Sequence, residues 1–267
     1  MTCQLEYIFL GTSGCIQVPA FHCECAVCES ARTHPEERRT RASLAVVGRE
    51  TVLIDPGPDL DFQLDREGLR KIDRIFITHW HFDHVGGLAG LMEPAQHAQW
   101  PPIHIYFPHQ LGSHFEQELI FMKPRLVLHP IRPSDIVPLP DGEWEVVKTS
   151  HTDHSVGFIL PGRRKTAYLV DGVVPPPETL ARLDGVERLI LEATVDELDE
   201  AWMNFALPQA VEFWKQTKIE QCLLTHLSCH RWTNKKLSAG LSSHERSEYE
   251  ARHPGLTFAF DGMRIKG

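Results

Sequence analysis

No apolar run in this chain approaches the length that spans a bilayer, and no basic-then-apolar signal opens it. Both absences argue against membrane insertion and secretion, so a cytoplasmic location is the expectation. Positive charge is in deficit: 27 lysines and arginines against 36 acids leave a formal net charge of -9. Nonspecific binding to nucleic acid rests on a basic face, so that class of partner is disfavoured, although a local basic patch around a metal centre is compatible with the balance. Linkers are lacking too. No low-complexity or linker-like stretch divides the 267 residues, and a chain of this length can bury one substantial core, so residues 1–267 are read as a single domain. The seven cysteines do not make an even set. Three of them, Cys23, Cys25 and Cys28, are packed into one short loop, which favours metal binding in a reducing compartment over a disulfide framework.

What is present centres on Thr78-His79-Trp80-His81-Phe82-Asp83-His84. The apolar, β-branched run Lys71–Ile77 before it reads as a buried strand, and Val85-Gly86-Gly87-Leu88 after it as the tight entry to a helix. Imidazole and carboxylate are donors suited to zinc, iron or manganese. His79 and His81, two apart on extended chain, can point to one side while Asp83 and His84 turn away around the corner, an arrangement that feeds two adjacent ions. A single histidine in a polar loop would carry no such meaning. The five histidines His97, His104, His109, His114 and His129 lack ligand-like spacing and are read as ordinary.

The second cluster is Cys23-Glu24-Cys25-Ala26-Val27-Cys28, on a loop leading into a helix. Three thiols at this spacing can converge on one tetrahedral zinc, with a fourth ligand from elsewhere. Further strands are expected over Leu5–Leu10, Ala42–Val47, Thr51–Ile54, Ile103–Phe107, Leu126–His129, Glu143–Lys148, Val156–Leu160, Thr166–Val170, Val186–Leu191, Ile219–Leu224 and Leu256–Phe260, with helices over Phe62–Arg70 and Ala201–Lys215. His226 repeats the strand-then-Thr-His construction of His79, and Asp171 closes the Thr166–Val170 strand. Two facing αβ layers are expected.

The His-x-His-x-Asp-His pattern resembles the signature of the metallo-β-lactamase superfamily. The Cys-x-Cys-x-x-Cys loop, the Leu-Thr-His-x-Ser segment around His226 and the closing Phe-Asp-Gly-Met narrow the likeness to its PhnP-like phosphodiesterase branch and PqqB-like proteins. The resemblance implies an αββα sandwich, with Asp55 supporting the metal loop from behind and the turn Gly11-Thr12-Ser13-Gly14 passing close to the site. It implies two divalent ions, Zn or Mn. His79, His81 and His151 would hold one; Asp83, His84 and His226 would hold the other; Asp171 would bridge them. His151 is preferred to its neighbour His154 for the remaining imidazole. One structural Zn would sit at Cys23, Cys25 and Cys28, completed by Cys229 or by His230, with Cys229 favoured.

The implied activity is hydrolysis of a small phosphodiester, cyclic ones included, by water activated between the two cations, with Asp83 in the catalytic set. One position departs from the pattern. Where PhnP-like enzymes carry Asn-His at a helix start, the histidine being the general acid, this chain has Asn204-Phe205, and His154 is the substitute donor, with His230 behind it. A tRNA 3′-processing reading lacks a long Gly/Pro-rich arm for gripping tRNA. The same metal core would also activate water for acyl transfer in a β-lactamase or a thioesterase. A PqqB-like or non-hydrolytic metal-binding protein would keep the ligands without the turnover. Relatives are commonly dimers, so a homodimer is the assembly to test.

Overall fold

The structure, a computed structural model, describes residues 5–117, 125–194, 203–229 and 241–267. One sheet is built from β1 (Glu6–Gly11), β2 (Ser43–Val47), β3 (Thr51–Ile54), β4 (Arg74–Phe76), β5 (Ile103–Pro108) and β6 (Leu126–Ile131). The other holds β7 (Ile136–Leu139), β8 (Gly142–Lys148), β9 (Val156–Leu160), β10 (Thr166–Leu169), β11 (Arg188–Glu192), β12 (Gln221–Thr225) and β13 (Leu256–Phe258). The last strand, β14 (Arg264–Lys266), returns to the first sheet and pairs antiparallel with β1. The spatial orders are β14-β1-β2-β3-β4-β5-β6 and β13-β12-β11-β10-β9-β8-β7. Each sheet is antiparallel on one side and parallel on the other, the change falling at β3 in the first and at β10 in the second.

Strand alternation decides what each face buries. Tyr7 and Phe9 point into the space between the sheets, while Ile8 and Leu10 point outward under the helices of the first layer. Phe158 and Tyr168 face inward from the second sheet, and Ile159, Ala167 and Leu169 pack beneath its own helix. Both faces being apolar is what a sheet covered on both sides requires. Phe76 from β4 stacks on Tyr106 with ring centroids 4.4 Å apart and meets Trp144 and Phe158 of the opposite sheet at 4.3 and 5.3 Å. Truncating such a buried ring typically costs about 3–5 kcal/mol. This aromatic cluster locks the layers together directly below the loop that follows β4.

Three departures from expectation bear on the site. The helix of the second layer begins at Leu207, not Ala201, because Pro208 is tolerated only in a first turn; residues 203–206 form its non-helical entry. A short helix, Phe82–Val85, is capped by Gly86, so Asp83 and His84 occupy a helical turn ahead of the Gly-Gly pair. The closing segment does not finish a single sheet: β13 ends the second and β14 crosses to the first. Between them Asp261 accepts from the Thr12 hydroxyl at 2.8 Å and from the Thr40 amide at 2.7 Å, pinning the first turn to the closing segment. Among the described residues no helix is long and apolar enough to cross a membrane.

Candidate metal centre

Strands β3, β4, β10, β11 and β12 all end at one edge, where chain leaving a parallel strand tends to gather ligands. From the first sheet, Asp55 follows β3 in a left-handed conformation (φ 57°) and is fully buried. Its carboxylate accepts from the Thr78 amide and hydroxyl, both at 2.8 Å, and from His84 Nδ1 at 2.9 Å. With its hydrogen given to Asp55, the Thr78 oxygen accepts from His79 Nδ1 at 2.9 Å. One carboxylate therefore sets the tautomer of two imidazoles and turns the Nε2 of both toward the cleft. His81 is extended (φ -89°, ψ 149°) and lies on the same side as His79, whereas the helical turn at Phe82 swings Asp83 and His84 to the neighbouring position. Gly57 permits that turn: a Cβ there would lie 2.2 Å from the Asp83 carbonyl oxygen.

From the second sheet come His151 beyond β8, Asp171 beyond β10 and His226 beyond β12. His226 also has a left-handed backbone (φ 55°). The Gly11–Gly14 turn lies against it, so that a Cβ on Gly14 would meet its ring at 3.2 Å. His226 Nδ1 donates to Thr194 Oγ1 at 2.6 Å, and the Thr194 hydroxyl passes its hydrogen to Glu192. His151 Nδ1 donates to the Met203 carbonyl at 3.1 Å.

The donor atoms converge in two groups, His79, His81, His151 and Asp171 in one and Asp83, His84 and His226 in the other, each within 4.8 Å. His81 Nδ1 stands 2.9 Å from His79 Nε2 and 3.2 Å from His151 Nε2. Asp171 Oδ2 is 4.0, 3.6, 3.6 and 3.4 Å from the Nε2 atoms of His79, His151, His84 and His226, and so touches both groups. Asp83 Oδ2 lies 3.4 and 3.5 Å from His84 and His226.

The residues fit divalent cations. The Nε2 atoms of His84 and His226 are buried and have no hydrogen-bond partner, while their Nδ1 hydrogens are committed elsewhere. Donor atoms facing one another at these separations require positive charge between them, a metal ion when one is bound and otherwise a proton. Ligands of a tetrahedral ion with metal–nitrogen bonds of 2.0–2.1 Å stand about 3.3 Å apart. The electrostatics agree. Burial alone would raise Asp83 and Asp171, yet the neighbouring imidazoles, His84 and His226 above all, hold both carboxyls well below the usual range. Burial would lower His84, but Asp55 and Asp83 hold it well above the ordinary imidazole value. Glu192 is pushed well up, first by burial and then by the Asp171 charge. His81 is exposed and His151 half-buried, so the centre opens to solvent on their side.

The sulfurs of Cys23, Cys25, Cys28 and Cys229 also lie within 4.8 Å of one another, packed with Val18, Ala20 and Ala31. The Ala20 amide donates to Cys28 Sγ at 3.3 Å and the Cys28 amide to Cys25 Sγ at 3.5 Å. Burial pushes the Cys28 thiol up to about 11 and raises Cys229 as well. Uptake of a cation would displace their protons. The other candidate for the fourth ligand, His230, lies outside the described residues.

Two further positions bear on the acid. His154 is exposed in the turn before β9. Phe205 is buried in the second layer's core, its ring 5.4 Å from Phe213, so its side chain belongs to the packing and not to the cleft. Sequence reasoning missed Glu192 and Thr194, and treated Asn204 only as half of a motif pair. A strand-end acid on β11, placed like Asp55 after β3 and Asp171 after β10, was the signal available for Glu192.

Two facing mixed sheets flanked by helices, with histidines and carboxylates gathered at their common edge, define the metallo-β-lactamase fold. Residues 50–227 match the Beta-lactamase superfamily domain, and the chain belongs to that family. A solved diphosphatase of the PhnP family is similar over 98% of both chains, at 25% identity with a TM-score of 0.81. Coenzyme PQQ synthesis protein B of Methylobacterium radiotolerans is 26% identical over 98% of this chain and 99% of its own length. An octanoyltransferase of Porphyromonas gingivalis is 27% identical over 98% of this chain, which spans 53% of that protein.

Proposed function

We propose that the protein is a dinuclear metal-dependent phosphodiesterase acting on small phosphodiesters, cyclic ones included, in the cytoplasm. The observation that carries this reading is Asp171, one of whose oxygens lies 3.4–4.0 Å from imidazoles of both donor groups. When bound, two divalent ions, Zn or Mn, would activate a water near neutral pH and neutralise phosphoryl oxygens. His79, His81 and His151 would hold one, Asp83, His84 and His226 the other, with Asp171 between; a structural Zn would occupy the four cysteines. Asp83, beside both imidazoles of its group, would also orient the attacking water. The open side at His81 and His151 admits substrate. With Phe205 in the core, the position of the branch's acid offers no proton, and His154 is the donor assigned to poor leaving groups.

That arrangement favours leaving groups that depart unprotonated. Aryl oxides do so, and so does phosphate leaving a diphosphate bond, a second substrate class favoured by the likeness to a PhnP-family diphosphatase. The test is a series of aryl and alkyl phosphodiesters plus a nucleoside diphosphate ester, assayed with manganese and with zinc. Rates should fall steeply with rising leaving-group pKa where no acid acts; a shallower fall that steepens in His154→Ala would mark His154 as the donor, since a positioned acid contributes about 10²–10⁴-fold. Absence of turnover on every diester and diphosphate would reject the assignment.

A further inference from the structure

The three ligands supplied by the second sheet leave three different strands, yet one dipeptide at the entry of the 207–217 helix touches two of them and connects to the third through Glu192 and Thr194. The Met203 carbonyl accepts from His151 Nδ1 at 3.1 Å. Asn204 Nδ2 donates to Asp171 Oδ1 at 2.5 Å and to the two Glu192 oxygens at 3.0 and 2.8 Å. Glu192 also accepts from the Gly172 amide, next to Asp171, and from Thr194, whose oxygen takes the hydrogen of His226 Nδ1. In the first sheet the comparable work is done by the single carboxylate of Asp55.

Chemistry explains why an amide suits this place. Asp171 and Glu192 are two buried carboxyls side by side, and a third carboxylate between them would raise the repulsion, while a cation there would compete with the metal ions for Asp171. The amide nitrogen carries two hydrogens and no charge, so it can serve both carboxyls at once. The terminal torsion of an aspartate is broad, and an unheld carboxylate could turn both oxygens onto one ion. With Oδ1 tied to Asn204, only Oδ2 faces the four imidazoles.

Resting on the two-ion reading above, we infer that Asn204 is a positioning residue that holds Asp171 in its bridging orientation, and that segment 203–204 governs how tightly the second sheet grips the ions. Removing a partner that orients a ligand typically weakens metal binding about 10–100-fold. Asn204→Ala should therefore lose affinity by that factor in competition with a chromogenic chelator, while keeping one zinc per chain at the cysteines. Asn204→Asp, which lacks the donor and adds charge, should lose at least as much. Asn204→Ser, which retains one donor of smaller reach, should recover part of the affinity. In the manganese-loaded full-length protein, the electron paramagnetic resonance signal of a coupled pair should give way to that of uncoupled ions in Asn204→Ala.

Asn204→Ala in an Asp171→Ala background should add much less loss than in the wild type, because the main oriented group is already gone and only the route through Glu192 to His226 remains. Wild-type affinity and coupling in Asn204→Ala, or full additivity in the double variant, would overturn the inference. Wild-type protein taking up no ion pair at all would instead overturn the two-ion reading on which it rests.

Discussion

The two donor clusters are built on opposite plans, although the same short segment serves both. His226 and Cys229 stand three residues apart after β12. The cysteine cluster is small and largely buried: its sulfurs are packed among Val18, Ala20 and Ala31, and two of them receive backbone amides. The histidine–aspartate centre has more donors, spread over several strand ends, and an open side at His81. Each of its buried imidazoles is held from behind, His79 and His84 through Asp55, His226 through Thr194 and Glu192. The contrast is the one expected between a closed structural site and a catalytic site that keeps positions free. It also shows where the first loop is fastened. The Gly14 amide donates to the Leu227 carbonyl and the Leu227 amide to the Thr12 carbonyl, so loss of the cysteine site would loosen the wall behind His226.

The largest effect should come from removing the shared carboxylate. Asp171→Ala should lower hydrolysis by more than about 10²-fold and reduce metal content at the histidine centre, with zinc at the cysteines retained. Elemental analysis with kinetics checks this, and an unchanged two-ion content would break the distinction between the clusters. Next comes the cysteine site itself. Cys25→Ala should forfeit several kcal/mol, a fall in Tm of about 10 °C or more, with activity reduced only through the displaced turn. Cys229→Ala should match it. A Cys229→Ala protein with normal Tm and zinc would point to His230 as the fourth ligand.

Asp55→Ala should weaken ion binding about 10–100-fold through the lost orientation of His79 and His84, leaving the cysteine zinc untouched. Chelator competition would measure it. A smaller effect concerns pH. Without ions, His84 keeps its proton to higher pH than an ordinary imidazole, because Asp55 and Asp83 outweigh burial. A raised folded pKa contributes stability at low pH that fades as pH rises through it. Ion uptake must displace that proton, so affinity should tighten as pH rises, and calorimetry in buffers of different ionisation enthalpy should detect the release. Uptake without proton release would show that His84 is not charged beforehand.

The two compact motifs could be read from the chain because each is local. Backbone period places His79 beside His81, and a three-residue spacing lets Cys25 and Cys28 meet. Short continuous apolar runs likewise announced most strands, including β2, β3 and β9. Helix starts were less legible: the run around Ala201 is amphipathic, but Pro208 moves the start to Leu207 and frees Asn204 for the cleft. Strand-end acids were harder still. Asp55, Asp171 and Glu192 all follow or end a strand, and in a linear reading each serves equally well as a turn cap.

The chain by itself determined which donor types exist, their spacing within each loop and the two-sided burial of the sheets, since these depend on residue identity and on periods of two or a few residues. Tertiary structure alone decided that Asp171 faces both imidazole groups, that Cys229 joins Cys23, that Asn204 reaches Asp171 while Phe205 enters the core, and that β14 pairs with β1. Those contacts join residues far apart in the chain. They are set by the stacking and register of two sheets, which no local propensity encodes.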